Sequence, residues 1–158
     1  MRRIFLFLIA FTAATTLQAQ EYKTAAGVRF GASNGITLKH FIKDDAALEG
    51  ILAFRYRGFN FTGLYEKHFS SAFKVNRLNW YLGAGGNIGI IDRDRYRWYD
   101  EKDEGTAVLL GIDGIIGIEY NFEEVPLNVS LDWKPMINLT GVYFWGDEVG
   151  LSIRYAFK

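Results

Sequence analysis

Between Asn128 and Leu139 the chain alternates without interruption. Val129, Leu131, Trp133, Pro135, Ile137 and Leu139 fall on one parity, and Asn128, Ser130, Asp132, Lys134, Met136 and Asn138 on the other. Successive side chains of an extended backbone point to opposite faces, so this segment reads as a strand with an apolar side and a polar, partly charged side. The C-terminus repeats the rule, with Val149, Leu151, Ile153, Tyr155 and Phe157 set against Gly150, Ser152, Arg154 and Ala156. Which of the two faces looks outward decides what the chain can be.

Period two recurs along most of the sequence and predicts about eight strands, with no helical stretch between them. The first centres on Ala26, Val28 and Phe30 and is turned by Ser33-Asn34-Gly35; the second runs from Ile36 to Ile42 and stops at Lys43-Asp44-Asp45. The third spans 48–57, and Gly58 turns it into the fourth, which carries Phe59, Phe61, Gly63 and Tyr65 on one side. A connection at 70–77 leads to the fifth, 78–90, and a charged loop at 92–105 to the sixth, 110–122. Glu123-Glu124-Val125-Pro126 introduces the seventh, and residues 140–147 link it to the eighth. Seventeen glycines against two prolines suit extended structure with crowded backbone positions.

The N-terminus reads differently. Arg2 and Arg3 precede the apolar run from Ile4 to Phe11, and small or polar residues follow as far as Ala19. This is the pattern of a secretory signal peptide, residues 1–19, and the run is too short for a spanning helix of about 20 residues. The expected mature part, 20–158, is one domain on length. Cleavage removes two of the 18 basic residues and none of the 18 acidic ones, so the mature chain is slightly acidic and carries no footprint for nucleic acid. The chain has no cysteine, which excludes a disulfide framework and a lipid-modified N-terminal Cys.

Two closed barrels fit such strands: a soluble lipocalin-like barrel hiding its apolar face around a small hydrophobic ligand, and a membrane barrel showing that face to lipid. Strand lengths near those of a tilted bilayer span favour the second. So does the polar parity, which mixes glycine with Arg29, Lys39, Glu49, Arg55, Glu66, Asp113, Glu119, Asp132, Lys134 and Arg154. Small residues make room in a narrow lumen, and opposite charges pair once removed from water. The expectation is an all-β, antiparallel, up-and-down transmembrane β-barrel of about eight strands with a filled polar interior and no open pore. Val129, Leu131, Trp133, Ile137, Leu139, Leu151, Ile153, Tyr155 and Phe157 are then lipid-facing, and Tyr56, Phe59, Trp80, Tyr120, Phe122, Tyr143 and Trp145 join the last two as interfacial aromatics. An even strand count puts both termini on one side, expected to be periplasmic, and sends the 92–105 loop outward.

The chain resembles the small bacterial outer-membrane β-barrel proteins of OmpX-like or OmpA-transmembrane-domain type, especially the compact barrels of Bacteroidetes-type bacteria. The signal peptide, Tyr81-Leu82-Gly83-Ala84-Gly85-Gly86, Gly117-Ile118-Glu119-Tyr120-Asn121-Phe122, Leu131-Asp132-Trp133-Lys134-Pro135 and the closing Ile153-Arg154-Tyr155-Ala156-Phe157-Lys158 carry the resemblance. It implies the outer membrane as location, outer-membrane lipid and lipopolysaccharide as surroundings, and recognition of the C-terminal strand by the barrel assembly machinery. Lys158 after the terminal aromatic Phe157 departs from the family pattern.

Chemistry is sparse. There is no nucleotide loop, nucleophile elbow or metal-spaced His/Cys cluster, and no cofactor is implied. His68-Phe69-Ser70 with Glu66 on the same parity is the catalytic candidate, since a base, a nucleophile and an orienting acid would lie side by side as in an outer-membrane lipid A deacylase. An interfacial His followed by a turn Ser is the ordinary reading of so short a motif. Pro135, without an N–H, should mark a bulge in its strand or a lateral weak point in the wall. The 92–105 loop, with Arg93, Arg95, Arg97, Trp98 and Tyr99 among acids, is the candidate contact surface for a partner.

Overall fold

The computed structural model describes residues 22–55, 58–70, 75–92, 106–140 and 143–157. The proposed signal peptide and the loop arginines and aromatics at 93–99 lie outside the described residues. The strands are β1 (Thr24–Gly31), β2 (Asn34–Lys43), β3 (Ala46–Arg55), β4 (Gly58–Ser70), β5 (Leu78–Asp92), β6 (Thr106–Asn121), β7 (Leu127–Trp133), β8 (Met136–Asn138), β9 (Tyr143–Trp145) and β10 (Val149–Phe157).

From β1 to β7 each strand pairs antiparallel with the next, β8 pairs with β6 and β9, β7 pairs with β10, and β1 pairs with β10 to close the ring. β7 and β8 are two parts of one stave, as are β9 and β10, so the ten segments make a closed eight-stave barrel, with no helix among the described residues. Closure leaves few unpaired strand edges. Parity then sorts every side chain to one side of the wall. Arg29, Thr37, Lys39, Glu49, Thr62, Glu66, Tyr81, Asn87, Asp113, Glu119, Ser130, Asp132 and Arg154 are buried inside, while Phe30, Ile36, Leu38, Phe54, Phe61, Ile88, Ile112 and Ile116 stand exposed outside. This is the reverse of a lipocalin interior, and the soluble-binder alternative loses its apolar cavity.

Glycine admits large groups to this narrow lumen. A Cβ on Gly117 would lie 2.7 Å from the Tyr81 ring, and one on Gly150 would overlap the Arg29 guanidinium. Both positions face inward, so the two bulky side chains occupy space that any other residue would fill.

The proline break differs from expectation. β6 keeps one register across it, with Ile116 opposite Trp133 and Asp113 opposite Met136. On the other side, Trp133 faces Val149 but Met136 faces Trp145, so two residues of one stave oppose three of the next. The extra residue therefore lies at 146–148, in the last stave, and not at Pro135. Gly114 donates its N–H to the Pro135 carbonyl at 2.9 Å, and the reciprocal bond is the one proline cannot make. Lys134 N–H reaches the Glu148 carbonyl at 2.8 Å, and the Trp133 indole donates to the Gly146 carbonyl at 2.7 Å, tying the bulge down.

Boundaries shift elsewhere for a physical reason. β6 begins at Thr106 and β5 continues to Asp92 because each supplies the other's ladder there. The 140–147 segment, read as a link, contains β9, whose Tyr143, Phe144 and Trp145 pair with β8.

Candidate functional site: the charged lumen

Among the described residues three groups of ion-paired charges lie in the interior, and a further buried carboxylate, Glu148, accepts from the Ser33 hydroxyl. In the first, Arg29 grips Asp132 with both terminal nitrogens, at 2.6 and 2.9 Å. Tyr81 donates its hydroxyl to the same carboxylate at 3.0 Å, and Ser152 stands 3.4 Å from the guanidinium. Such two-pronged pairing fixes geometry as well as charge. In the second, Lys134 meets Asp113 at 2.8 Å, and the Asn87 amide donates to the other Asp113 oxygen.

The third is crowded. Lys39 Nζ lies 2.8 Å from Glu66, 3.3 Å from Glu49 and 3.4 Å from Glu119, and 4.0 Å above the centre of the Tyr81 ring. Arg154 bridges to Glu49 and donates to Asn128 at 2.9 Å, Ser130 at 2.8 Å and Thr37 at 3.2 Å. Tyr22 donates to Glu119 at 3.3 Å. Parity on seven different staves turns these groups into one part of the lumen, and the closed ladder holds them there. Buried charges demand partners of this kind, since an unpaired one costs several kcal/mol.

No protein-family model matches the chain, and no curated protein does. Among solved structures it is similar to the N-terminal β-barrel domain of Pseudomonas aeruginosa OprF, with a TM-score of 0.65 and 17% identity over 89% of this chain and 100% of that one. It is also similar to Neisserial surface protein A, NspA, with a TM-score of 0.55 and 14% identity over 85% of this chain and 94% of that one. At these identities the likeness is one of fold: a closed, all-antiparallel barrel of eight staves.

The structure places Arg29, Lys39, Glu49, Glu66, Asp113, Glu119, Asp132, Lys134 and Arg154 inside the barrel. Arg55 belongs to β3, but its side chain is outside the described part. Leu131, Trp133, Ile137, Leu139, Leu151, Ile153, Tyr155 and Phe157 are exposed on the outer wall, with Val129 half-buried beside them. Stacked or edge-to-face aromatic pairs, Phe69 with Trp80, Tyr120 with Phe122 and Tyr155 with Phe157, gather at the end that holds the C-terminus.

His68 and Glu66 are neighbours inside, but neither ring nitrogen of His68 has a hydrogen-bond partner, and Ser70 is exposed at the strand end. The Ser–His hydrogen bond that a nucleophile needs is absent. Instead His68 stacks on Tyr81, with ring centres 5.1 Å apart, and its Nε2 lies 3.6 Å from Glu119 and 3.7 Å from Glu66. The sequence reading missed Tyr22, Thr37, Tyr81 and Asn128 as members of the network. Thr37, Tyr81 and Asn128 do share the polar parity of their strands, which was the available signal.

Proposed function

We propose that this chain is an integral outer-membrane β-barrel with a structural or surface-interaction role and a sealed lumen. The observation that carries the reading is the inversion of the wall: charge-paired side chains inside and a continuous ring of exposed large apolar ones outside. A typical soluble monomer exposes no apolar patch beyond about 300–600 Å². Here the apolar side chains encircle the barrel, and staves of this length span hydrocarbon when tilted. Backbone closure supports the same environment, because lipid satisfies no free N–H or C=O.

In this reading residues 1–19 are a signal peptide, both termini are periplasmic, and the 92–105 loop meets lipopolysaccharide or a surface partner. The C-terminal strand β10 would be the segment presented to the barrel assembly machinery. With Arg29, Lys39, Tyr81 and Arg154 across the lumen, the barrel conducts no ions. It is not read as an enzyme, since the one catalytic motif fails on geometry.

Fractionation with the outer membrane and a heat-dependent shift in detergent gels are the expected results, with cleavage in the 92–105 loop when whole cells are shaved with protease. Recovery as a detergent-free soluble monomer would overturn the reading. Steady conductance in planar bilayers would overturn the sealed lumen alone.

A further inference from the structure

The outer wall is not uniformly flat. An open groove of about 380 Å³ runs across it, lined by Trp80, Ile116, Ile118, Leu131, Trp133 and Val149. Its floor is the backbone at Gly117 and Asp132, the two positions that face the lumen. Trp80 lies near the start of β5 and Ile118, opposite it, near the end of β6, so the groove belongs to the half of the wall that carries the termini.

Two tryptophans bound the groove because each is engaged on its far side. Trp80 stacks on Phe69 of β4, with ring centres 4.3 Å apart and planes 16° from parallel. Trp133 donates its indole N–H to the Gly146 carbonyl at 2.7 Å, toward the last stave. Between them stand Ile116 and Ile118 of β6 and Leu131 of β7, whose aliphatic side chains are too short to fill the gap.

We propose that this groove is a binding site for one acyl chain of a phospholipid, held there longer than the chains of the surrounding lipid. The inference rests on the membrane reading above and names the occupant of one place on the wall. In hydrocarbon no hydrophobic force favours one apolar contact over another, so a chain is retained where more atoms touch it. A groove held open by anchored indoles offers walls as well as a floor. An apolar cavity of about 150 Å³ takes a benzene molecule, so this groove has room for about a dozen carbons of a chain. The Trp133 N–H is already satisfied and the outward lining is apolar, which suits a hydrocarbon chain and not a headgroup or a peptide backbone. With periplasmic termini this half of the wall lies in the inner leaflet, where the chains belong to phospholipid and not to lipopolysaccharide.

In the detergent-solubilised barrel with Trp98→Phe and Trp145→Phe, the remaining indoles are Trp80 and Trp133, one on each side of the groove. Titration with phosphatidylethanolamine carrying brominated acyl chains should quench them in a saturable step complete near one lipid per barrel. Ile118→Phe with Val149→Phe crowds the groove from two staves and should weaken that step about tenfold, whereas Leu38→Phe, exposed on the wall at β2, should leave it unchanged. Native mass spectra from micelles should show one phospholipid retained by the parent barrel. Quenching that rises with lipid without saturating, or that is equal in the crowded variant, is ordinary wall contact and overturns the proposal. Retention of lipopolysaccharide in place of phospholipid, or a dimer without lipid, overturns it too. A chain that stays soluble without detergent would overturn the membrane reading and the groove with it.

Discussion

Two neighbouring parts of the lumen network solve the same problem in opposite ways. Around Asp132, one guanidinium in two-pronged geometry and one tyrosine hydroxyl satisfy a single carboxylate, and Arg29 bridges to no other acid. Around Lys39, one ammonium divides itself among three carboxylates at 2.8, 3.3 and 3.4 Å, helped by Arg154 on one side and Tyr22 on another. The planar fork of arginine suits the first arrangement, and the compact, rotatable ammonium suits the second. A self-contained pair can be exchanged as a unit. A shared cation cannot be lost without stranding every group that leans on it.

Lys39→Met sets the largest expected effect. It leaves Glu49, Glu66 and Glu119 facing one another, and unfolding in urea from detergent micelles should show a loss of about 3–5 kcal/mol. The Arg29–Asp132 pair should answer differently. Arg29→Met alone strands one carboxylate that still keeps the Tyr81 hydroxyl, a loss of about 2–3 kcal/mol. The double variant Arg29→Met with Asp132→Leu should return to within about 1 kcal/mol of the parent, because both charges leave together. Equal losses for the single and double variants would erase the contrast between the two regions.

Glycines sharpen the comparison at smaller scale. Gly150→Ala drives a methyl group into the Arg29 guanidinium and should cost about 1–3 kcal/mol by overpacking. Gly63→Ala, on the outer wall with nothing within 4 Å of the added atom, should be neutral or should stabilise by about 0.5–1 kcal/mol. The same unfolding titration measures both.

These contrasts were only partly legible in the sequence. Parity alone sorts Asp132 and Lys134 inward and Leu131 and Trp133 outward, because side-chain direction in a strand is a local property of the backbone. Partner choice is not local. Arg29 meets Asp132 across 103 residues and Lys39 meets Glu119 across 80, and those encounters depend on the stagger of the closed sheet. The bulge escaped for a related reason. Pro135 drew attention to its own stave, whereas the extra residue sits at 146–148, where a register is defined only by comparing two strands. His68 was misleading because sequence neighbours at two-residue spacing share a face but need not share a depth: His68 is buried and Ser70, at the strand end, is not.

The turn between β2 and β3 offers the smallest effect and a contrast in solvent. There the Lys67 ammonium bonds to Asp45 and holds its carboxyl below the usual aspartate range, but both side chains are roughly half exposed, at 43% and 50%. Water and salt screen such a pair, unlike those in the lumen. A carboxyl with a depressed pKa in the folded protein contributes stability that is present above its unfolded pKa, near 3.9, and is lost as pH falls through the folded value. Asp45→Asn should therefore leave the neutral-pH unfolding midpoint nearly unmoved and flatten the pH dependence only below about pH 4. A neutral-pH loss as large as that of Lys39→Met would mean that burial does not separate the rim pair from the lumen cluster.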